Sequence, residues 1–276
     1  MRRFIKRTIV LFLYWSGLNE AAGLFLRRRA YLVGYHSIVK DKEAAERKFY
    51  AKVTLLEKQF ENHLSFLKNK GHNFISISDL PGALEKGIAK PTAIFFDDGF
   101  KNNLTVALPL LKKYEVPFNI FITTQYIDHS EIPLGADNQK HPELFMDWED
   151  VAVLKREGAA IGSHGLSHAK LTDCRIETLR AELSDSKRII SQRAGGEVNF
   201  FSYPSGRFDR RVVKEAKNSG YKLAVTTVEG IIHEEKIKNE SLSLPRIAPK
   251  PYDDLLMFKV KVYSWNIVKA LERLLW

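Results

Sequence analysis

Between residues 31 and 247 the chain alternates short apolar runs with longer stretches in which apolar residues recur at helical spacing. The runs are YLVGYH (31–36), NFISI (73–77), PTAIFF (91–96), PFNIFIT (117–123), AAIGS (159–163), VNFFSYP (198–204), KLAVTT (222–227) and SLSLPRI (241–247). Several are apolar at successive rather than alternate positions, as strands are when helices cover both faces of a parallel sheet. The patterns between them predict helices over 54–70, from Ser78 onward, and over 102–114, 147–158, 175–193 and 209–219. Thr54 and Glu57 stand at capping-box spacing, Gly71 and Gly220 act as stops, and Pro81 sits early in its helix. About seven or eight β–α units with no Gly-x-Gly-x-x-Gly fingerprint point to a (β/α) barrel rather than a dinucleotide-binding sheet.

The two ends read differently. Residues 8–26, TIVLFLYWSGLNEAAGLFL, form an apolar stretch between basic clusters. Its unbroken part, Ile9 to Trp15, is shorter than the roughly 20 residues a membrane span needs, and Asn19 and Glu20 then interrupt it. A signal peptide would need a small-residue cleavage site after it, and none is evident. Leu18, Ala21, Ala22 and Phe25 continue a helical stripe. Residues 1–30 are therefore expected to form a basic amphipathic helix, lying at a membrane surface or packed on the domain. Residues 251–276 predict an apolar-faced C-terminal helix, packed on the N-terminal one or touching the same membrane. Both lie outside a barrel expected over residues 31–250.

Charge sharpens this picture. The formal net charge is +10, and the first thirty residues set Arg2, Arg3, Lys6, Arg7, Arg27, Arg28 and Arg29 against Glu20 alone, a local excess of +6. The remainder is mildly basic, which argues against a broad nucleic-acid surface and for a local anionic contact such as a membrane face or a phosphorylated substrate. The only cysteine, Cys174, excludes a disulfide framework and has no activating neighbour in sequence. With 276 residues and 45% hydrophobic content, the chain can bury one large core.

In a barrel the chemistry collects where strands end. Asp97 and Asp98 end the 91–96 run, in FFDDGF, and His164 and His168 follow the 159–163 run, in SHGLSH. Two imidazoles and a carboxylate with open positions are a recurring catalytic metal set. The bland alternative is a pair of solvated histidines and an Asp-Asp helix cap. His36, Tyr203-Pro204 and Arg246 end three other strands, so four strand ends suggest one shared mouth. His129 and His141, in the polar stretch 128–146, are not expected to be ligands.

These segments resemble the polysaccharide deacetylase family, carbohydrate esterase family 4. AIFFDDGFKNNLTVALPLLKKYEVPFNIFITT is similar to its first motif with flanks, GAAIGSHGLSHAKLT to its second, and FFSYPSGRFD takes the place of its third. The resemblance implies a deformed (β/α) barrel and metal-dependent removal of N-acetyl groups from amino sugars. By position, Asp97 would be the general base, and Asp98, His164 and His168 would bind the metal, usually zinc. Backbone N–H groups around Tyr203, Pro204 and Ser205 would help hold the oxyanion. Ser202 stands where an arginine is usual and Ser205 where an aromatic is usual, the Asp-Trp fourth motif is not visible, and LPRI carries no histidine. The bacterial exopolysaccharide subgroup with YH and YPxG departs similarly. That likeness implies His36 as the acid and Arg246 as the residue that orients Asp97.

The expected function is hydrolysis of an N-acetyl group on a bacterial polysaccharide or lipid-linked glycan. It would take place in the cytoplasm, peripheral to the inner face of the membrane, with no nucleic-acid partner. The alternatives are a carbohydrate-binding barrel that has lost catalysis and a metal-dependent hydrolase of another amide or ester.

Overall fold

The computed structural model of the chain describes residues 2–26, 28–41, 52–130, 132 and 140–275. Its strands are β1 (Tyr31–Tyr35), β2 (Ser37–Val39), β3 (Thr54–Leu56), β4 (Asn73–Phe74), β5 (Pro91–Asp98), β6 (Asn119–Ile122), β7 (Ala160–Ser163), β8 (Phe200–Ser202), β9 (Leu223–Glu229) and β10 (Leu244–Arg246). Seven of these run parallel side by side in the order β1-β5-β6-β7-β8-β9-β10. The ends of that order meet: Gly34 N–H donates to Ile247 O at 2.9 Å, and Ile247 N–H to Leu32 O at 2.8 Å. The expected deformed (β/α) barrel is therefore present, nearly closed, with helices around it.

The helices are α1 (Arg2–Trp15), α2 (Leu18–Phe25), α3 (Glu57–Asn69), α4 (Leu80–Glu85), α5 (Leu108–Tyr114), α6 (Thr124–Ile127), α7 (Trp148–Arg156), α8 (Ile176–Ala194), α9 (Arg210–Asn218), α10 (Glu234–Glu240), α11 (Leu255–Tyr263) and α12 (Trp265–Leu275). Successive strand side chains point to opposite faces, and the core divides on that parity. Leu32, Ala93, Phe95, Phe121, Leu223, Val225 and Leu244 form one buried cluster, within the barrel. Val33, Ile94, Phe96, Ile120, Ile161 and Phe201 join another, beneath the helices. Gly34 lets the barrel interior close, because a Cβ there would lie 2.5 Å from the Phe95 ring and 3.2 Å from Arg246 Cδ.

Several local expectations are corrected. The helix predicted from Thr54 begins at Glu57, because residues 54–56 pair with β2 as a strand. Its capping acceptor is Gln59 Oε1, which takes the Leu56 N–H at 3.0 Å, rather than a Thr54–Glu57 box. In NFISI only Asn73–Phe74 is strand, and Ser76 then caps a 3-10 turn that leads into α4. The 102–114 helix opens as a π-turn over Asn103–Ala107. Gly17, at φ 75°, divides the N-terminal helix in two, and the C-terminal helix breaks at Ser264.

The terminal helices pack on each other and on the barrel. Val10 and Leu13 of α1 are buried against Val260, Trp265 and Val268. The Ser264 hydroxyl donates to Asn19 Oδ1 at 2.8 Å. Two buried histidines tie α11 down. His63 stacks on Phe258 at 3.8 Å between ring centres, and His72 joins Thr92 Oγ1 at 2.7 Å to the Tyr263 hydroxyl at 3.0 Å.

Burial, with Lys261 near His63 and Lys90 near His72, pushes both imidazoles from 6.5 down to about 3. Folded, they stay neutral; unfolded, they take up protons as pH falls below about 6.5. Their contribution is thus complete above that pH and is lost as pH drops toward 3. The urea midpoint should fall between pH 7 and pH 5, and His72→Gln should flatten that fall. An unchanged slope in His72→Gln would count against the assignment.

Candidate active site

The inward parity that builds the barrel interior also delivers polar groups to its mouth. Continuing Ala93 and Phe95 gives Asp97; Leu32 and Gly34 give His36; Ala160 and Gly162 give His164; Leu244 gives Arg246. Asp97 is fully buried, and Arg246 Nη1 lies 2.5 Å from its Oδ2. The guanidinium, itself buried, sits over the Phe95 ring at 5.8 Å. His36 Nε2 is 3.9 Å from the same carboxylate oxygen. Burial would raise the Asp97 carboxyl, but Arg246, then His164 and His36, hold it down at about 2. Burial drives His36 to about 3 although Asp97 pulls the other way, so its imidazole is neutral at rest.

By parity Asp98 should face outward. Its left-handed backbone, φ 76°, brings it instead to the mouth. Its Oδ1 lies 3.4 Å from His164 Nε2 and 3.7 Å from His168 Nε2. One ligand atom from each of the three residues lies within 4.8 Å of the others. That Oδ1 is buried and has no hydrogen-bond partner, an orphaned acceptor facing two imidazoles. Burial, against the pull of His164 and with repulsion from Asp97, lifts the Asp98 carboxyl to about 6. His164 Nδ1 lies 2.7 Å from Ser202 O. A carbonyl only accepts, so Nδ1 carries the proton and Nε2 presents its lone pair to Asp98. An orphaned carboxylate oxygen and an oriented imidazole lone pair fit a divalent cation.

The loop carrying both histidines is held from behind by Glu182 of α8. Its carboxylate accepts the Leu166 N–H at 2.8 Å, the Ser167 N–H at 3.1 Å and the Ser167 hydroxyl. Glu182 was not anticipated. It stands on the buried stripe Leu179, Glu182, Leu183, Ser186 and Ile190, and a carboxylate on an apolar stripe is a readable signal of a buried partner.

Within Tyr203–Ser205 two of the three backbone positions have no free N–H to offer. The Tyr203 N–H is taken by Val225 O at 3.0 Å, its hydroxyl donates to Leu242 O at 2.8 Å, and Pro204 has no N–H. The Ser205 N–H is thus the one candidate oxyanion donor of the three. His129 and His141 lie outside the Asp98–His164–His168 group. Part of the 128–146 stretch falls outside the described residues. Its end docks at the aspartate turn, where Met146 N–H donates to Gly99 O at 2.9 Å and Phe145 stacks on Phe100 at 4.9 Å.

Comparison with known proteins gives a consistent picture. The profile described as "Polysaccharide deacetylase" matches residues 85–224. The YxkH protein of Bacillus subtilis is 29% identical over 177 residues, covering 63% of this chain and 59% of that protein. The poly-beta-1,6-N-acetyl-D-glucosamine N-deacetylase of Staphylococcus aureus is 22% identical over 183 residues, 63% of this chain and 61% of that protein. The chain thus spans about three-fifths of the length of these curated relatives. Among solved structures, the deacetylase PplD of Streptococcus pyogenes superposes with a TM-score of 0.71 at 23% identity, over 86% of this chain and 98% of that one. IcaB from Ammonifex degensii gives 0.66 at 17% identity, over 86% and 96%. At these identities the structures establish the shared fold.

Glu182→Ala should free the Leu166–Ser167 backbone and lower the affinity of the Asp98–His164–His168 group for a divalent cation, with zinc as the probe, by about tenfold or more. Competition with a chromogenic chelator measures this; zinc affinity equal to wild type would exclude a supporting role for Glu182.

Proposed function

Because the chain belongs to the polysaccharide deacetylase family, we propose that it is a metal-dependent hydrolase that removes N-acetyl groups from amino sugars of a bacterial polysaccharide or lipid-linked glycan. The observation that carries this reading is the orphaned Asp98 Oδ1 facing His164 and His168, one residue from an ionised Asp97 held by Arg246. Two imidazoles and one carboxylate suit zinc. When bound there, the cation would supply Lewis acidity toward the acetyl carbonyl and the attacking water.

In this reading the chain's own residues handle the protons. Asp97, off the cation set, accepts the proton of the attacking water. Arg246 fixes the carboxylate through Oδ2, which leaves Oδ1, buried and without a hydrogen-bond partner, as the accepting atom. His36 is neutral at rest, so the proton it delivers to the leaving amine must first reach it from the Asp97 carboxyl, whose Oδ2 lies 3.9 Å from its Nε2. The Ser205 N–H is the backbone donor left to stabilise the oxyanion.

We place this activity at the cytoplasmic face of a membrane. Among the described residues no helix is long and apolar enough to cross one. Leu11, Phe12 and Trp15 are exposed, Trp15 at 78%, on the side of α1 away from Val10 and Leu13, and Leu18 at the start of α2 is exposed too. An exposed apolar stripe beside a basic segment suits an anionic lipid surface.

Two measurements test these proposals. Asp97→Asn should lower acetate release from N-acetylglucosamine oligomers by about 10²-fold or more while zinc content stays at wild-type level. Undiminished release in Asp97→Asn would refute the base assignment, and zinc-loaded wild type that releases no acetate would favour a binding protein. In flotation with phosphatidylglycerol vesicles, a Phe12→Ser/Trp15→Ser chain should lose most of its vesicle-bound fraction; unchanged flotation would contradict the membrane contact.

A further inference from the structure

Beyond the ends of β9 and β10 lies a cleft of about 720 Å³, between the loop that follows Arg246 and the terminal helices. It opens on the same end of the barrel as the aspartates, because Glu229 in its wall is the register partner of Arg246. All its lining residues, from Arg7 to Trp265, fall outside the segment matched by the family profile.

Among its lining residues three cations, Arg7, Lys250 and Lys261, face three carboxylates, Glu229, Asp253 and Asp254, but they do not pair one to one. Lys261, buried on the floor, holds Glu229 at 3.0 Å and Asp253 at 2.7 Å, and donates to Ala248 O at 3.0 Å. Arg7 holds Asp254 at 2.7 Å. Each wall carboxylate therefore touches a cation, with Lys261 shared between two of them. The half-buried Lys250 makes no close ion pair among the described residues, although Glu229 and Asp253 both attract its charge. Lys250 lines the cleft four residues beyond Arg246, and its charge acts on both His36 and Arg246.

Lys250 is held on a fixed turn. Its N–H donates to Asp253 Oδ2 at 2.8 Å, the Asp253 N–H donates to Lys250 O at 2.9 Å, and Gln59 Nε2 donates to Pro251 O at 2.9 Å. The same turn projects Tyr252, which is 81% exposed. A rigidly mounted aromatic ring offers an apolar face to the C–H face of a sugar and a hydroxyl at its rim. An ammonium that makes no close ion pair, beside that ring, supplies a charge for an oxyanion.

We infer that this cleft is a saccharide subsite flanking the deacetylation site, in which Tyr252 stacks on a sugar ring and Lys250 binds an anionic group, a carboxylate or a phosphate, next to the N-acetyl sugar. The inference rests on the hydrolase reading for the identity of that neighbour. It makes Lys250 the residue that selects acidic over neutral glycans.

The test is calorimetric titration of the zinc-loaded full chain with three probes, with acetate followed in the same samples. The probes are the neutral tetramer of N-acetylglucosamine, a hyaluronan tetrasaccharide carrying glucuronate, and N-acetylglucosamine 1-phosphate. At low salt at least one acidic probe should bind about tenfold tighter than the neutral tetramer. Which one does so distinguishes carboxylate from phosphate. Lys250→Gln should abolish that preference and Lys250→Arg should keep it, while Tyr252→Ala should weaken all three probes. A preference that survives Lys250→Gln, equal affinity for acidic and neutral probes, or no binding of any probe overturns the subsite. Preferential binding without acetate release leaves the subsite standing and counts against the hydrolase.

Discussion

The buried ion pair between Asp97 and Arg246 is the constraint around which the mouth of this barrel is arranged. Two adjacent carboxylates cannot both stay ionised in a dry site without compensation. Arg246, arriving from the last strand, compensates one of them at 2.5 Å and holds it at about 2. Nothing among the described residues does the same for Asp98 Oδ1, and its carboxyl rises to about 6. The pair thus splits two chemically identical neighbours into a carboxylate fixed in its charge and one that awaits a cation. Removing Arg246 alone would leave Asp97 as an uncompensated buried charge, a loss of roughly 3–5 kcal/mol in comparable pairs.

Much of the fold serves that split. Barrel closure through β1 and β10 brings Arg246 across from β5, and Gly34 leaves the space its side chain occupies. Inward parity delivers Asp97, His36 and His164 without special geometry. Asp98 reaches the mouth only through its left-handed backbone, a conformation that strains most non-glycine residues. His168, at φ 63°, shares that feature. Two of the three proposed ligands thus sit in backbone conformations that the surrounding loop contacts, Glu182 among them, must maintain.

The barrel, the aspartate pair and the histidine pair were legible because each rests on local pattern: apolar runs, a strand end, an i, i+4 spacing. What was not legible depends on distant partners. Thr54 looks like a helix cap, yet residues 54–56 pair with Ser37–Val39 as a strand, and Gln59 caps the helix instead. The Tyr203 N–H looks available until β9 is seen to take it. Glu182 and the cleft around Lys250 join segments far apart in the chain, and spacing says nothing about such meetings. Arg246 near Asp97 was expected only through a family resemblance, and the structure sets its Nη1 2.5 Å from Asp97 Oδ2.

The central claim is that the two aspartates hold different partners. Anomalous diffraction from crystals of the full chain grown with zinc tests it most directly. The account predicts one ion about 2.0–2.2 Å from Asp98 Oδ1 and from one ring nitrogen each of His164 and His168, with Asp97 still on Arg246. An ion coordinated by Asp97, with Arg246 displaced, would contradict it.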